Sequence, residues 1–180
     1  MITPAIPPLV EMLDDLKVAH ALIGGMAVGA LVEPRATKDA DFVVDIQASG
    51  LDALLREAKA RGFAVNAEEV QRLLHSQMTR LWAADADGEP LMIVLLFNSD
   101  PFYASVLSRR QIRGLESTTI ATATPEDLLL MKVLAGRPHD LGDAGRIVAI
   151  YGQRLDLEYL RHWANYLGLT QEVRALLPDL

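Results

Sequence analysis

A glycine pair at the end of one short apolar run and an Asp-x-Asp inside the next constrain this chain more than any other feature. His20 to Ile23 reads as a strand that stops at Gly24-Gly25, where two residues without Cβ permit a sharp turn and a close approach of bare backbone to a ligand. Met26 to Leu31 then has the length of a short helix. A helix that starts straight after a glycine turn directs unpaired N–H groups at that spot, which favours an anion such as phosphate. Beyond Pro34 a second strand begins, and period-2 alternation puts Asp39 and Asp41 on one face with Ala40 and Phe42 on the other. Carboxylates side by side repel, and a hard divalent cation removes the conflict. Mg²⁺ prefers one or two carboxylates together with phosphate oxygens.

The 180 residues suffice for one domain with a sizeable core. The expectation is a single unit over residues 1–180, with a core at about 9–123 and a helical part at about 124–180. At 51% apolar and 23% charged residues the composition is that of a globular protein. The longest apolar run, Leu91 to Phe97, is far short of a membrane span. The N-terminus has no basic region followed by an apolar segment, so a cytoplasmic location without a membrane partner is expected. Absence of cysteine excludes disulfides, thiolate metal sites and a cysteine nucleophile. His20, His75, His139 and His162 are scattered without metal-ligand spacing, which argues against zinc. A net charge of −7 argues against a broad nucleic-acid surface. The densest basic cluster, Arg109-Arg110-x-x-Arg113, reads as a solvated helix end.

Along the chain, the prolines of residues 1–8 predict an extended lead-in, and Leu9, Leu13 and Leu16 an amphipathic helix over Leu9 to Ala19. Helices are expected over Gly50 to Ala60 and Ala67 to Leu74, with a short strand at Phe63 to Val65 between them. Met78 to Trp82 and Leu91 to Phe97 form a hairpin across an acidic, glycine-containing turn. The second of these strands is apolar on both faces, as a covered central strand is. Asp100-Pro101 and Thr124-Pro125-Glu126-Asp127 carry helix-start chemistry, and Thr118 to Ala123 between them alternates like a strand. Further helices begin near Asp140 and run over Leu157 to Leu167. The whole is an α/β fold: a mixed twisted sheet of about four or five strands flanked by helices, with a helical C-terminal part.

Lys132 is the one charged residue in the apolar stretch Leu128 to Leu134, followed after a turn by Asp140 and Asp143. Spacing alone favours a lysine whose stem is buried and whose ammonium reaches water, with Asp140 capping the next helix.

Taken singly, Gly-Gly is a turn and Asp-x-Asp a wet strand face. Taken together, Gly24-Gly25, thirteen residues and then Asp39-x-Asp41, with Arg35-x-Thr37 just ahead, resemble the signature of the nucleotidyltransferase fold, the DNA polymerase beta-like superfamily. Within it the pattern looks like the small bacterial AbiEii/AbiGii toxin group. The passage from Pro125 through Lys132 to Arg137-Pro138-His139-Asp140-x-x-Asp143 resembles that group's second signature. The resemblance implies an enzyme that transfers NMP from an NTP to a hydroxyl of RNA, protein or a small molecule, as the toxin of a toxin–antitoxin or abortive-infection system with an antitoxin partner. It implies Asp39 and Asp41 as ligands of Mg²⁺, and Gly24 and Gly25 as the phosphate cradle. Arg35, Thr37 and Lys132 would then face the phosphates, with Asp140 and Asp143 positioning the nucleotide. Many such enzymes carry a third acid on a later strand, and the matching position here is Val94. Valine neither binds metal nor accepts a proton, which favours the alternative of a nucleotide-binding or interaction module with weakened turnover.

Overall fold

A computed structural model of the protein describes residues 4–33, 37, 39–85, 87–115 and 118–180. In chain order the elements are α1 (Ile6–Asp15), β1 (His20–Ile23), α2 (Gly24–Leu31), β2 (Asp39–Val44), α3 (Ala48–Ala60) and α4 (Ala67–Leu73). They continue as β3 (Met78–Ala84), β4 (Pro90–Phe97), α5 (Pro101–Arg109), β5 (Gln111–Leu115) and β6 (Thr118–Thr122). The chain ends in α6 (Pro125–Ala135), α7 (Pro138–Tyr151), α8 (Leu157–Tyr166) and α9 (Thr170–Leu176).

The strands form one mixed sheet in the order β3-β4-β2-β1-β6-β5. β2 runs parallel to β4 and β1 parallel to β6, while β1–β2, β3–β4 and β5–β6 are antiparallel. Among the described residues six strands replace the expected four or five because β5, an edge strand with Ile112 exposed, lacks the apolar alternation that marks a covered strand. Residues 63–65 supply only an isolated bridge, Ala64 to Trp82.

The N-terminal helix begins earlier than its leucine spacing indicates. Pro7 and Pro8 lie in its first turn, where their missing N–H groups have no intrahelical partner to lose. It stops at Asp15, and Lys17 turns the chain with φ of 56°. Asp100 caps α5 by accepting from the Phe102 N–H at 2.8 Å, and Thr124 and Asp127 cap α6 reciprocally.

The arginine cluster is not one surface. Arg109 pairs with Glu126 and stacks over Tyr159, Arg110 donates to the Leu107 carbonyl, and Arg113 lies on β5 beside Gln111. Among the described residues no helix is long and apolar enough to cross a membrane.

Register separates two faces of the central sheet. Ala40, Phe42 and Val44 stand beside Ile93, Leu95 and Phe97, all buried in the core, and the other face carries Asp39 and Asp41 beside Met92 and Val94. α6 packs against α2 and α7, which brings Lys132 to the same region as the glycine turn.

Candidate functional site

The glycine turn and the aspartate strand meet directly. Ile23, the last residue of β1, is in register with Asp41, and α2 starts at Gly24 itself, two residues before the expected Met26. Gly24 has φ of 68°, a conformation that side chains disfavour. A Cβ placed there would also lie 2.0 Å from Asp41 Oδ2, so glycine is required by the carboxylate as well as by the backbone. Gly25 is buried in the first turn of α2.

Asp39 and Asp41 are half-buried on one face, as alternation predicts. Burial first, and the neighbouring Asp39 charge second, push the Asp41 carboxyl up to about 6, against the lowering influence of Lys132 and Arg137. The Thr37 hydroxyl donates to the Asp39 backbone carbonyl at 3.0 Å, which fixes the entry to β2. Arg35 lies outside the described residues.

Lys132 does not snorkel to water. Its side chain is 8% exposed, and Nζ lies 2.8 Å from Asp140 Oδ1 and 3.0 Å from Asp143 Oδ2, both acids being fully buried. Arg137 Nε meets Asp140 Oδ2 at 2.5 Å, and Arg146 Nη1 meets Asp143 Oδ1 at 3.2 Å. Asp140 therefore does not serve as the cap of α7. Burial acts to raise its carboxyl, but hydrogen bonds and charge from Arg137 and Lys132 outweigh that and hold it below the ordinary range. The network ties α6 to α7 through the link Gly136-Arg137. Gly136 ends α6 in the left-handed region and Pro138 opens α7.

A cavity of about 260 Å³ joins the two clusters. Gly24, Asp41, Lys132, Arg137 and Asp140 form its polar side, and Leu96, Tyr103, Leu128 and Met131 are among the residues of its apolar wall. The apolar wall and Arg137 were not legible as site residues. The wall comes from four elements, β1, β4, α5 and α6, whose apolar residues look like core, and a helix-link arginine looks like a solvated charge. Val94 is the register partner of Asp41 and is 7% exposed, so the position matched to a third acid does lie beside the aspartates. Among the described residues no group of three or more histidine or acidic side chains converges as a metal cage.

This strand order with its helices matches solved nucleotidyltransferases along nearly the whole chain. The fold is the nucleotidyltransferase fold. An antigenic nucleotidyltransferase-like protein from Paracoccidioides brasiliensis aligns at 18% identity and TM-score 0.55, over 94% of this chain and 88% of its own. The lincosamide antibiotic adenylyltransferase LnuA, bound to lincomycin, aligns at 14% identity and TM-score 0.53, over 81% of this chain and 95% of its own. ANT(2'')-Ia in complex with adenylyl-2''-tobramycin aligns at 14% identity and TM-score 0.54, over 90% of this chain and 94% of its own. No family model and no curated protein matches the sequence. At these identities the likeness establishes the nucleotidyltransferase fold and leaves chemistry to the residues of the site.

Proposed function

We propose that the protein binds an NTP with Mg²⁺ and transfers its NMP to a hydroxyl acceptor. The observation that carries this reading is the same-face pair Asp39 and Asp41, with the Asp41 carboxylate against a glycine turn and lining a cavity that Lys132 and Arg137 also line. Two half-buried, same-face carboxylates fit Mg²⁺, which takes few protein ligands and shares phosphate oxygens. Asp39 and Asp41 would hold the ion, whose chemistry is to neutralise charge on the phosphates and polarise the one under attack. Gly24, Gly25 and the first turn of α2 offer backbone N–H groups to the phosphates. Lys132 and Arg137 supply positive charge on the cavity side, where charge builds on the departing pyrophosphate. The apolar wall receives the uncharged part of the nucleotide.

The motif resemblance to the AbiEii/AbiGii group supports a toxin setting, with RNA or protein as acceptor and an antitoxin as partner. The likeness to LnuA and ANT(2'')-Ia, whose structures hold lincomycin and adenylyl-tobramycin, supports a small-molecule acceptor. Incubation with Mg²⁺, each labelled NTP and either total cell RNA or a panel of hydroxylated antibiotics separates the two. Calorimetry tests the shared step: binding of an NTP that disappears with EDTA and in Asp39→Asn/Asp41→Asn is expected. Equal affinity under all three conditions would remove the metal role. Val94 favours a second reading, a nucleotide-binding module without turnover, because general-base help to the acceptor hydroxyl has no strand-borne acid at that position.

A further inference from the structure

We infer that Arg137 is the side chain that grips the polyphosphate of the bound nucleotide, and that Lys132 and Asp140 act by positioning it. The inference rests on the nucleotide reading above and divides its cationic work between two residues.

Lys132 is already committed. Two of its three ammonium donors are met by Asp140 and Asp143 at 2.8 and 3.0 Å, and the side chains of both acids are 1% exposed. Drawing the ammonium away to a phosphate would break two buried ion pairs at once, a costly outcome. Arg137 differs in each respect. Its side chain is 65% exposed, it borders the same cavity as Gly24 and Asp41, and it meets Asp140 through Nε. Among the described residues its forked Nη end meets no other carboxylate, and a guanidinium fork matches phosphate oxygens in pairs.

The backbone also fixes the starting point of the side chain. Arg137 lies between Gly136, at φ of 64°, and Pro138, the first residue of α7, so the link has little freedom. Asp140 is the hub: Oδ1 receives Lys132 and Oδ2 receives Arg137. Lys132 thus orients Asp140, and Asp140 aims the guanidinium.

The test is calorimetry in Mg²⁺ with the mono-, di- and triphosphate of whichever nucleoside the wild type binds among ATP, GTP, CTP and UTP. Wild type should bind triphosphate best and monophosphate least. Arg137→Gln should lose about 10- to 100-fold in triphosphate affinity, the size of one or two charged hydrogen bonds. It should also flatten the preference for longer phosphate chains, in a protein that stays folded at the assay temperature despite the lost pair with Asp140. Arg137→Lys should recover part of the loss. Asp140→Asn should weaken the triphosphate less, and the Arg137→Gln/Asp140→Asn double should bind no worse than Arg137→Gln alone, since both changes break one path. A purely structural Asp140 would instead lower affinity for all three phosphates alike and add to the arginine change. A folded Arg137→Gln protein with an undiminished triphosphate preference overturns the inference and leaves the nucleotide reading standing. A wild type that binds none of the twelve nucleotides overturns both.

Discussion

Asp140 and Asp143 are fully buried and lie 2.8 and 3.0 Å from the Lys132 ammonium, with Arg137 and Arg146 on their outer oxygens. Asp39 and Asp41 are less buried, yet among the described residues no cation lies within ion-pair distance of either. The same side chain therefore behaves in opposite ways a short distance apart. Asp140 is held more acidic than usual by its cations despite burial, and Asp41 is made less acidic by burial and by its twin. One cluster is completed by the fold and stabilises a helix junction. The other has no such partner among the described residues, and in the proposed function it is the cluster that an Mg²⁺ ion would complete.

The largest expected effect comes from adding to the incomplete cluster. Val94 is the register partner of Asp41, so Val94→Asp places a third carboxylate on the same face. Positioned general-base help is worth about 10²- to 10⁴-fold, and Mg²⁺-dependent transfer to a competent acceptor should rise within that range. The metal-free protein should melt earlier, because three like charges then share the face. Brisk transfer by wild type with no gain in the variant would show that another group supplies the base.

Removing a member of the completed cluster should cost almost as much. Lys132→Met looks mild from the sequence, where the lysine reads as a snorkelling stem, but in the structure it breaks two buried ion pairs at once, with Asp140 and with Asp143. A loss of about 3–5 kcal/mol in urea denaturation is expected. Lys132→Met/Asp140→Asn/Asp143→Asn should recover part of it, because the buried carboxylates that lost their shared ammonium are then neutral. A single variant as stable as wild type would mean that the network contributes nothing to the helix junction.

Gly24→Ala attacks the boundary between the clusters. The left-handed backbone costs an alanine about 1–2 kcal/mol, and its Cβ would have to displace the Asp41 carboxylate now 2.0 Å away. A total of about 3 kcal/mol is expected, together with loss of metal-dependent nucleotide binding. Gly62, with φ of 88° and nothing within 4 Å of a built Cβ, is the control: Gly62→Ala should show the backbone cost alone.

These clusters were unequally visible in the sequence. Asp39 and Asp41 follow from strand alternation and Gly24 from turn chemistry, because both are local rules acting within a few residues. The start of α6 at Pro125 was equally legible, since Thr124 and Asp127 satisfy each other across three positions. The state of Lys132 was not legible. Whether a lysine in an apolar helix reaches water or a carboxylate depends on how α7 folds back, and that is set by the turn at Gly136 and by packing against α2. Arg137 lies within the second motif, but its place at the cavity exists only once α6, α7 and the glycine turn are brought together. β5 and α9 were missed for want of a strong apolar pattern. α9 buries only Val173, and β5 leaves Ile112 on the surface at the sheet edge.

The smallest effect is also the most direct measure of what the open cluster costs. Asp41 titrates at about 6 in the folded protein, against 3.8 for the unperturbed side chain. Between these values the native state holds more protons than the unfolded chain, so stability falls as pH rises through the window and the loss is complete above it. A carboxyl raised this far corresponds to roughly 3 kcal/mol, and water at the half-open site screens part of that, leaving about 2 kcal/mol. Asp41→Asn cannot ionise, so in metal-free buffer it should exceed wild type by about that amount at pH 8, and the gap should close near pH 3.5. Urea midpoints at the two pH values measure it. Adding Mg²⁺ at pH 8 should then raise the wild type and leave the asparagine variant where it was, because only the carboxylate pair gains from the ion. An Asp41→Asn protein less stable than wild type at pH 8 would mean that Asp41 is stabilised from within the chain. The contrast between the two clusters would then collapse.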